Sequence, residues 1–134
     1  MKPFEQIFLS AKTIAVVGLS RDPEKDSHSV AKYLQEKGYK IIPVNPSGGE
    51  LLGEKVYTSL SEITVPVDIV DVFRPFEECE KIAEQAIKLL QKMVWLQLGL
   101  TSQKARQICE KVGIAFVENR CIRTEHRRLT GAGF

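Results

Sequence analysis

The chain has 134 residues, 43% of them apolar and 27% charged, with 19 basic against 17 acidic side chains and a formal net charge of +2. That length carries one buried core of ordinary size, and the apolar fraction is too high for a disordered chain. So small a net charge, with both signs interspersed, sets up no broad field of the kind that draws nucleic acid or an anionic membrane; a small anion gripped by a few local groups is compatible with it.

The start, Met1-Lys2-Pro3-Phe4-Glu5, lacks the basic segment, apolar core and small-residue cleavage site of a secretory signal. No apolar run approaches the ~20 residues of a membrane-spanning helix. The three cysteines, Cys79, Cys109 and Cys121, form an odd, widely spaced set without a C-x-x-C pair, which argues against a disulfide framework and a structural zinc site. These features predict a single domain over residues 1–134 in a reducing cytoplasm.

The elements follow in chain order. Pro3–Ser10 places Phe4, Ile7 and Phe8 on one face of a first helix, and Ile14–Val17 is a short β-branched run of strand type. Val30, Ala31 and Leu34 mark a helix that starts near Ser27 and ends at Gly38, ahead of a second strand at Ile41–Val44. A weaker run, Lys55-Val56-Tyr57, reads as a short strand at the sheet edge. Val67–Phe73 is the next strand, and Phe76–Leu90 carries an i, i+3, i+4 apolar stripe through Cys79, Ile82, Ala83, Ala86 and Ile87. Met93–Leu98 and Ile114–Val117 are further strands. Between them a helix is patterned on Ala105, Ile108, Cys109 and Val112, with Thr101 or Ser102 as N-cap and Gly113 as stop. Thr124–Leu129 forms a last turn or two.

Strands that are apolar almost throughout are covered on both faces, and their alternation with helices implies right-handed βαβ units. The predicted fold class is therefore α/β: a Rossmann-like, doubly wound parallel sheet of five or six strands with helices on both faces. With the Tyr57 run included, the strand order is 3-2-1-4-5-6.

In such a sheet ligands bind beyond the C-terminal strand ends, where the strand order reverses. The first strand runs into Gly18-Leu19-Ser20-Arg21-Asp22-Pro23. There a glycine permits a close turn, backbone N–H groups of the loop and helix start can hold phosphate oxygens, Ser20 and Ser27 add hydroxyls, and Arg21 and Lys25 add charge. The second strand ends in the rigid, small-residue loop Asn45-Pro46-Ser47-Gly48-Gly49. At the tip of the fourth, Phe73-Arg74-Pro75 places a ring and a guanidinium beside the reversal; Phe73 either packs on a base or closes the core, and Arg74 needs water, a carboxylate or a phosphate.

The first loop is not G-x-G-x-x-G, since Ser20 and Pro23 stand at the second and third glycine positions, and no acidic residue ends the second strand to bind a ribose hydroxyl. Both absences disfavour a nicotinamide dinucleotide. A P-loop motif is likewise missing from the sequence.

Taken together, these residues resemble the CoA-binding domain family, the small stand-alone group related to the N-terminal domain of the succinyl-CoA synthetase α subunit. The likeness is carried by Val17-Gly18-Leu19-Ser20 with Pro23 and Ser27, and by Gly38-Tyr39-Lys40-Ile41-Ile42-Pro43-Val44-Asn45-Pro46. It continues through Gly53-Glu54-Lys55-Val56-Tyr57, Val67-Asp68-Ile69-Val70-Asp71-Val72-Phe73-Arg74, Trp95-Leu96-Gln97-Leu98-Gly99, and Asn119-Arg120-Cys121 with Glu125-His126. Six segments stand in the family's order from about Ile14 to Leu129. The resemblance implies coenzyme A, or an acyl-CoA, bound across the crevice. Gly18, Leu19, Ser20 and Arg21 would face the diphosphate, Lys25 and Ser27 would stand close by, and Val44, Asn45 and Pro46 with Val72, Phe73 and Arg74 would flank the nucleotide. The larger synthetases carry a phosphorylated histidine and further domains that perform ligation. Neither His28 nor His126 is assigned that role, and the function implied is non-catalytic binding of a small-molecule CoA ligand, without nucleic acid or membrane. A protein partner or homodimer is left open.

Other chemistry is weaker in the sequence. Cys121, Glu125 and His126 are close enough in sequence to meet as a nucleophilic or metal site, yet nothing supplies an oxyanion hole or a fourth ligand. Cys121 is also a candidate for a mixed disulfide with the CoA thiol. Arg120, Arg123, Arg127 and Arg128 read as a solvated helix face, Trp95 as core, and Gln97 as a residue approaching the crevice. Asp68 and Asp71 fall on opposite faces of an extended strand, which argues against paired-carboxylate catalysis. Two alternative functions remain: an NAD(P)-dependent oxidoreductase, and a regulatory interaction module with a vestigial nucleotide site.

Overall fold

The computed structural model describes residues 1–89 and 91–131; Leu90, which the apolar periodicity assigns to the third helix, lies outside them. The chain runs through α1 (Pro3–Ser10), β1 (Thr13–Val17), α2 (Asp26–Glu36), β2 (Lys40–Val44), the short strands β3 (Glu50–Leu51) and β4 (Glu54–Lys55), and β5 (Ile69–Val72). It continues as α3 (Phe76–Ala86), β6 (Met93–Leu96), α4 (Gln103–Lys111), β7 (Ala115–Val117) and α5 (Ile122–Thr130), with single 3-10 turns at Leu60–Glu62 and Ile87–Leu89.

Five strands form one parallel sheet in the order β2-β1-β5-β6-β7. Ile14 stands opposite both Ile41 and Ile69, and Ile69 opposite Met93, so a continuous apolar row crosses the sheet. Successive side chains point to opposite faces. Ile14, Val16, Ile41, Ile69, Met93 and Trp95 therefore pack with Phe8 of α1, Val30 and Leu34 of α2 and Ile122 of α5. Their neighbours Ala15, Val17, Ile42, Val70, Val94 and Leu96 pack with Ile82 and Ala83 of α3 and Ala105 and Cys109 of α4. Two helical layers explain why the strands lack polar alternation. Trp95 is fully buried; its ring centroid lies 5.4 Å from that of Phe8, and its indole N–H donates to the Arg120 carbonyl at 2.8 Å.

The edge strand expected at Lys55-Val56-Tyr57 is reduced to one parallel bridge between Val44 and Tyr57. There the Tyr57 N–H donates to Pro43 O at 3.0 Å, and the Asn45 N–H donates to Tyr57 O at 2.9 Å. Lys55 instead pairs with Glu50 in the antiparallel β3–β4 hairpin. Leu52 (φ 53°) and Gly53 (φ 75°) form its two-residue loop. Two positive φ angles match the twist of a tight hairpin, and this local turn takes the residues that a longer edge strand would need.

Element ends differ for local reasons. Of the two N-cap candidates, Ser102 caps α4, its hydroxyl accepting from the Ala105 N–H. The α5 helix is longer than its apolar pattern announces, because part of its buried face consists of Glu125 and His126. Its arginines, of which Arg128 is exposed and Arg123 and Arg127 partly buried, also contact neighbouring elements. Arg128 donates to Glu5 of α1 at 2.5 Å and to Glu125 at 2.8 Å, Arg123 donates to the Ser29 hydroxyl of α2 at 3.3 Å, and Arg127 lies over the Tyr33 ring. These contacts fasten α5 to α1 and α2. Among the described residues, no helix is long and apolar enough to cross a membrane.

Candidate functional site at the tips of β1, β2 and β5

The chain leaves β1 for α2 on one face of the sheet and leaves the adjacent β5 for α3 on the other. The two strand tips thereby open a crevice between diverging connections. Gly18 sits at its apex with φ +88°, its N–H donating to Val44 O at 2.9 Å. A Cβ there would lie 2.5 Å from the Phe73 carbonyl oxygen and 2.8 Å from Arg74 Cδ. Only glycine lets these two tips close to this distance.

The β1–α2 loop is held by its own polar groups. The Ser20 N–H donates to the buried Ser27 hydroxyl at 2.9 Å, Ser20 Oγ accepts from the Asp22 N–H at 3.0 Å, and His28 Nδ1 lies 2.8 Å from Ser20 O. Ser27 thus ties the loop to the first turn of α2. The Leu19 side chain is fully buried. The backbone N–H of Arg21, an exposed residue, has no acceptor among the described residues, which leaves that donor at the loop for an anion, whereas Leu19 has no exposed surface. Lys25 is exposed immediately before α2.

A second loop is stitched to the first. Asn45 Nδ2 donates to Leu19 O at 2.9 Å, and Asn45 Oδ1 accepts from both the N–H and the hydroxyl of Ser47. Arg21 reaches across to donate to Ser47 Oγ, Glu50 O and Gly48 O. Its guanidinium clasps the β2–β3 connection instead of pointing into open crevice.

On the α3 side the tips border a cleft of about 350 Å³. Its apolar lining includes Val17, Val44, Pro46, Leu60 and Ile82; Arg74, Glu77, Glu78 and Lys81 supply charge. Arg74 is held by Glu78 one helical turn away, with Nε 3.1 Å from Oε1 and Nη2 2.7 Å from Oε2. Hydrogen bonding to Arg74 holds the Glu78 carboxyl below its ordinary range.

Of the residues singled out from sequence, Gly18, Val44, Pro46 and Arg74 line this cleft, and Ser20, Arg21 and Asn45 build the adjoining loops. Val72 is fully buried in the core on the α3 side. Phe73 packs against the opposite core, beside α1, α2 and α5. Sequence reasoning missed Leu60, Glu78 and Lys81. The Arg74–Glu78 spacing was readable as an i, i+4 ion pair, whereas nothing local announced that the Leu60 turn folds back over the cleft.

Beneath the crevice, Asp71 is fully buried on β5 between Val16 and Trp95. Its Oδ1 accepts from Gln97 Nε2 at 2.5 Å, and Oδ2 has no partner. Burial pushes its pKa up to about 8, against the smaller opposing effect of the Gln97 bond. Gln97, expected near the crevice, is itself buried, and its Oε1 accepts from the Ile122 N–H at the start of α5. Asp68 lies at the other end of β5, where its carboxylate caps the N–H groups of Lys12 and Thr13.

Cys121, Glu125 and His126 do not assemble. His126 Nδ1 lies 2.7 Å from the Tyr33 hydroxyl, with its ring among Phe8, Tyr33 and Tyr39, and Glu125 accepts from Arg128. Burial, with a smaller effect of Lys37, lowers the His126 pKa. Among the described residues, no group of three or more His, Cys, Asp or Glu is placed to hold a metal ion.

Residues 12–127 match the family model described as a CoA binding domain. The uncharacterized protein YneT of Bacillus subtilis is 42% identical over 122 residues, covering 91% of this chain and 90% of YneT. The α subunit of an ADP-forming acetate–CoA ligase (II) of Pyrococcus furiosus is 41% identical over 69 residues, which cover 51% of this chain but only 15% of that subunit. Among solved structures, a Thermus thermophilus protein (cell-free ID.343) superimposes with a TM-score of 0.89 at 40% identity, covering 94% of this chain and 96% of that one. The chain belongs to the CoA-binding domain family.

Proposed function

We propose that this member of the CoA-binding domain family is a single-domain, non-catalytic cytoplasmic protein that holds coenzyme A, or an acyl-CoA, at the tips of β1, β2 and β5. The observation that carries the reading is the coincidence of a 350 Å³ cleft, an unengaged loop N–H at exposed Arg21 and several cations at one strand reversal. The apolar floor of Val17, Val44 and Leu60 suits a base or the pantetheine arm, and the N–H group of Arg21 suits a phosphate oxygen. Lys25, Arg74 and Lys81 add positive charge at the rim. Ser20 and Ser27 act by shaping the loop, as do Asn45 and Arg21, whose side chains are engaged within the protein.

Isothermal titration with CoA, acetyl-CoA, NAD and NADP tests the reading. Saturable binding of CoA or acetyl-CoA is expected. Binding of NAD without CoA would replace the proposal with a dinucleotide enzyme, and silence with all four ligands would favour a regulatory module with a vestigial site.

A further inference from the structure

Arg74 is the cation closest to the apex of the crevice: its Cδ lies 2.8 Å from where a Cβ on Gly18 would stand. Its guanidinium is nevertheless turned onto Glu78 by two hydrogen bonds, of 3.1 and 2.7 Å. Both side chains remain substantially exposed, at 42% and 46%. An ion pair this open to water is held weakly and is screened by salt. A phosphate oxygen entering the cleft competes for the same fork-shaped donor set, which fits a phosphate as well as a carboxylate. The price of that exchange is that a second anion, the released Glu78 carboxylate, stays beside the incoming one.

We propose that Glu78 is a charge gate on Arg74, so that a phosphorylated ligand binds in competition with the Glu78 carboxylate and not onto a free cation. The inference rests on the CoA reading above and adds a determinant of affinity to it. The gate selects for ligands that bring concentrated negative charge, a diphosphate or a phosphomonoester, because a neutral ligand has nothing to draw Arg74 away. Glu78 is a positioning residue here: it acts through the guanidinium and makes no bond to the ligand.

Glu78→Gln keeps the side-chain shape and removes the charge. One elementary charge within several ångströms of a phosphate in a water-exposed cleft corresponds to a roughly three- to tenfold change in affinity. The CoA dissociation constant of Glu78→Gln should therefore fall by that factor in about 20 mM salt, and the gain should shrink in about 0.5 M salt, where the screening length is only about 4 Å. The decisive comparison is the same substitution in an Arg74→Gln background. A gate acting through Arg74 gives little or no gain there, while a general field effect of Glu78 gives the full gain. Thermal melts of each variant confirm that the compared proteins are folded. Unchanged or weakened CoA binding by Glu78→Gln, or a full gain retained without Arg74, overturns the gate. Absence of CoA binding by the unaltered protein overturns the functional reading instead.

Discussion

Asp71→Asn isolates the energetic effect of one carboxyl buried under the crevice. In the folded protein the Asp71 pKa is pushed up to about 8 by burial, while an unfolded aspartate titrates near its ordinary 3.8. Between those values the folded state keeps a proton that the unfolded state has released. Stability conferred on the acid form is therefore fully present below about pH 4, declines as pH rises, and levels off above about pH 8. The slope is about 1.4 kcal/mol per pH unit, so the penalty at pH 7 is on the order of 4 kcal/mol. Asparagine keeps the oxygen that accepts from Gln97 and cannot ionise, although its amide leaves buried N–H groups without acceptors at a cost of about 1–3 kcal/mol. At pH 5 the variant should match or fall slightly below the unaltered protein; by pH 8 it should be the more stable by a few kcal/mol. Urea unfolding at pH 5, 6, 7 and 8, followed by fluorescence of Trp95, reads the difference directly. Trp95 is the only tryptophan, is fully buried and stands opposite Asp71 in the sheet. Taking the difference between variants also cancels titrations common to both, including that of His126. Stability curves that run parallel across this range would refute the buried-acid argument.

Three further outcomes follow from the same geometry. Ser20→Tyr, at the loop beside the cleft, should abolish CoA binding in titration calorimetry while moving the melting temperature little; wild-type affinity would displace the proposed site. Gly18→Ala combines φ +88° with a Cβ 2.5 Å from Phe73 O, so it should destabilise the fold by roughly 1–3 kcal/mol in chemical denaturation; a neutral effect would mean that the strand tips separate freely. His126 should titrate below 6.5 by NMR, because burial disfavours its charged form. Its contribution to stability is then present above the unfolded pKa of about 6.5 and is lost as pH falls toward the folded value. A midpoint at or above 6.5 would contradict that placement.

The amino-acid sequence by itself determined the layered parallel architecture, because β-branched runs without polar alternation fit only strands covered on both faces, and stripes at 3.6-residue spacing supply the covers. It also placed Gly18, the Asn45-Pro46 loop and Arg74 at strand ends, where a reversal gathers them. Local pattern did not reach interactions between side chains far apart in the chain. Gln97 and Asp71 lie 26 residues apart, Arg128 and Glu5 lie 123 apart, and only packing brings either pair together. The same holds for Arg21, a cation that suits a phosphate but is turned onto carbonyls of the β2–β3 connection, and for α5, whose buried residues include the polar Glu125 and His126. Periodicity reports which face of an element avoids water; which polar groups meet on that face is set by how the layers close, and that is a property of the folded chain alone.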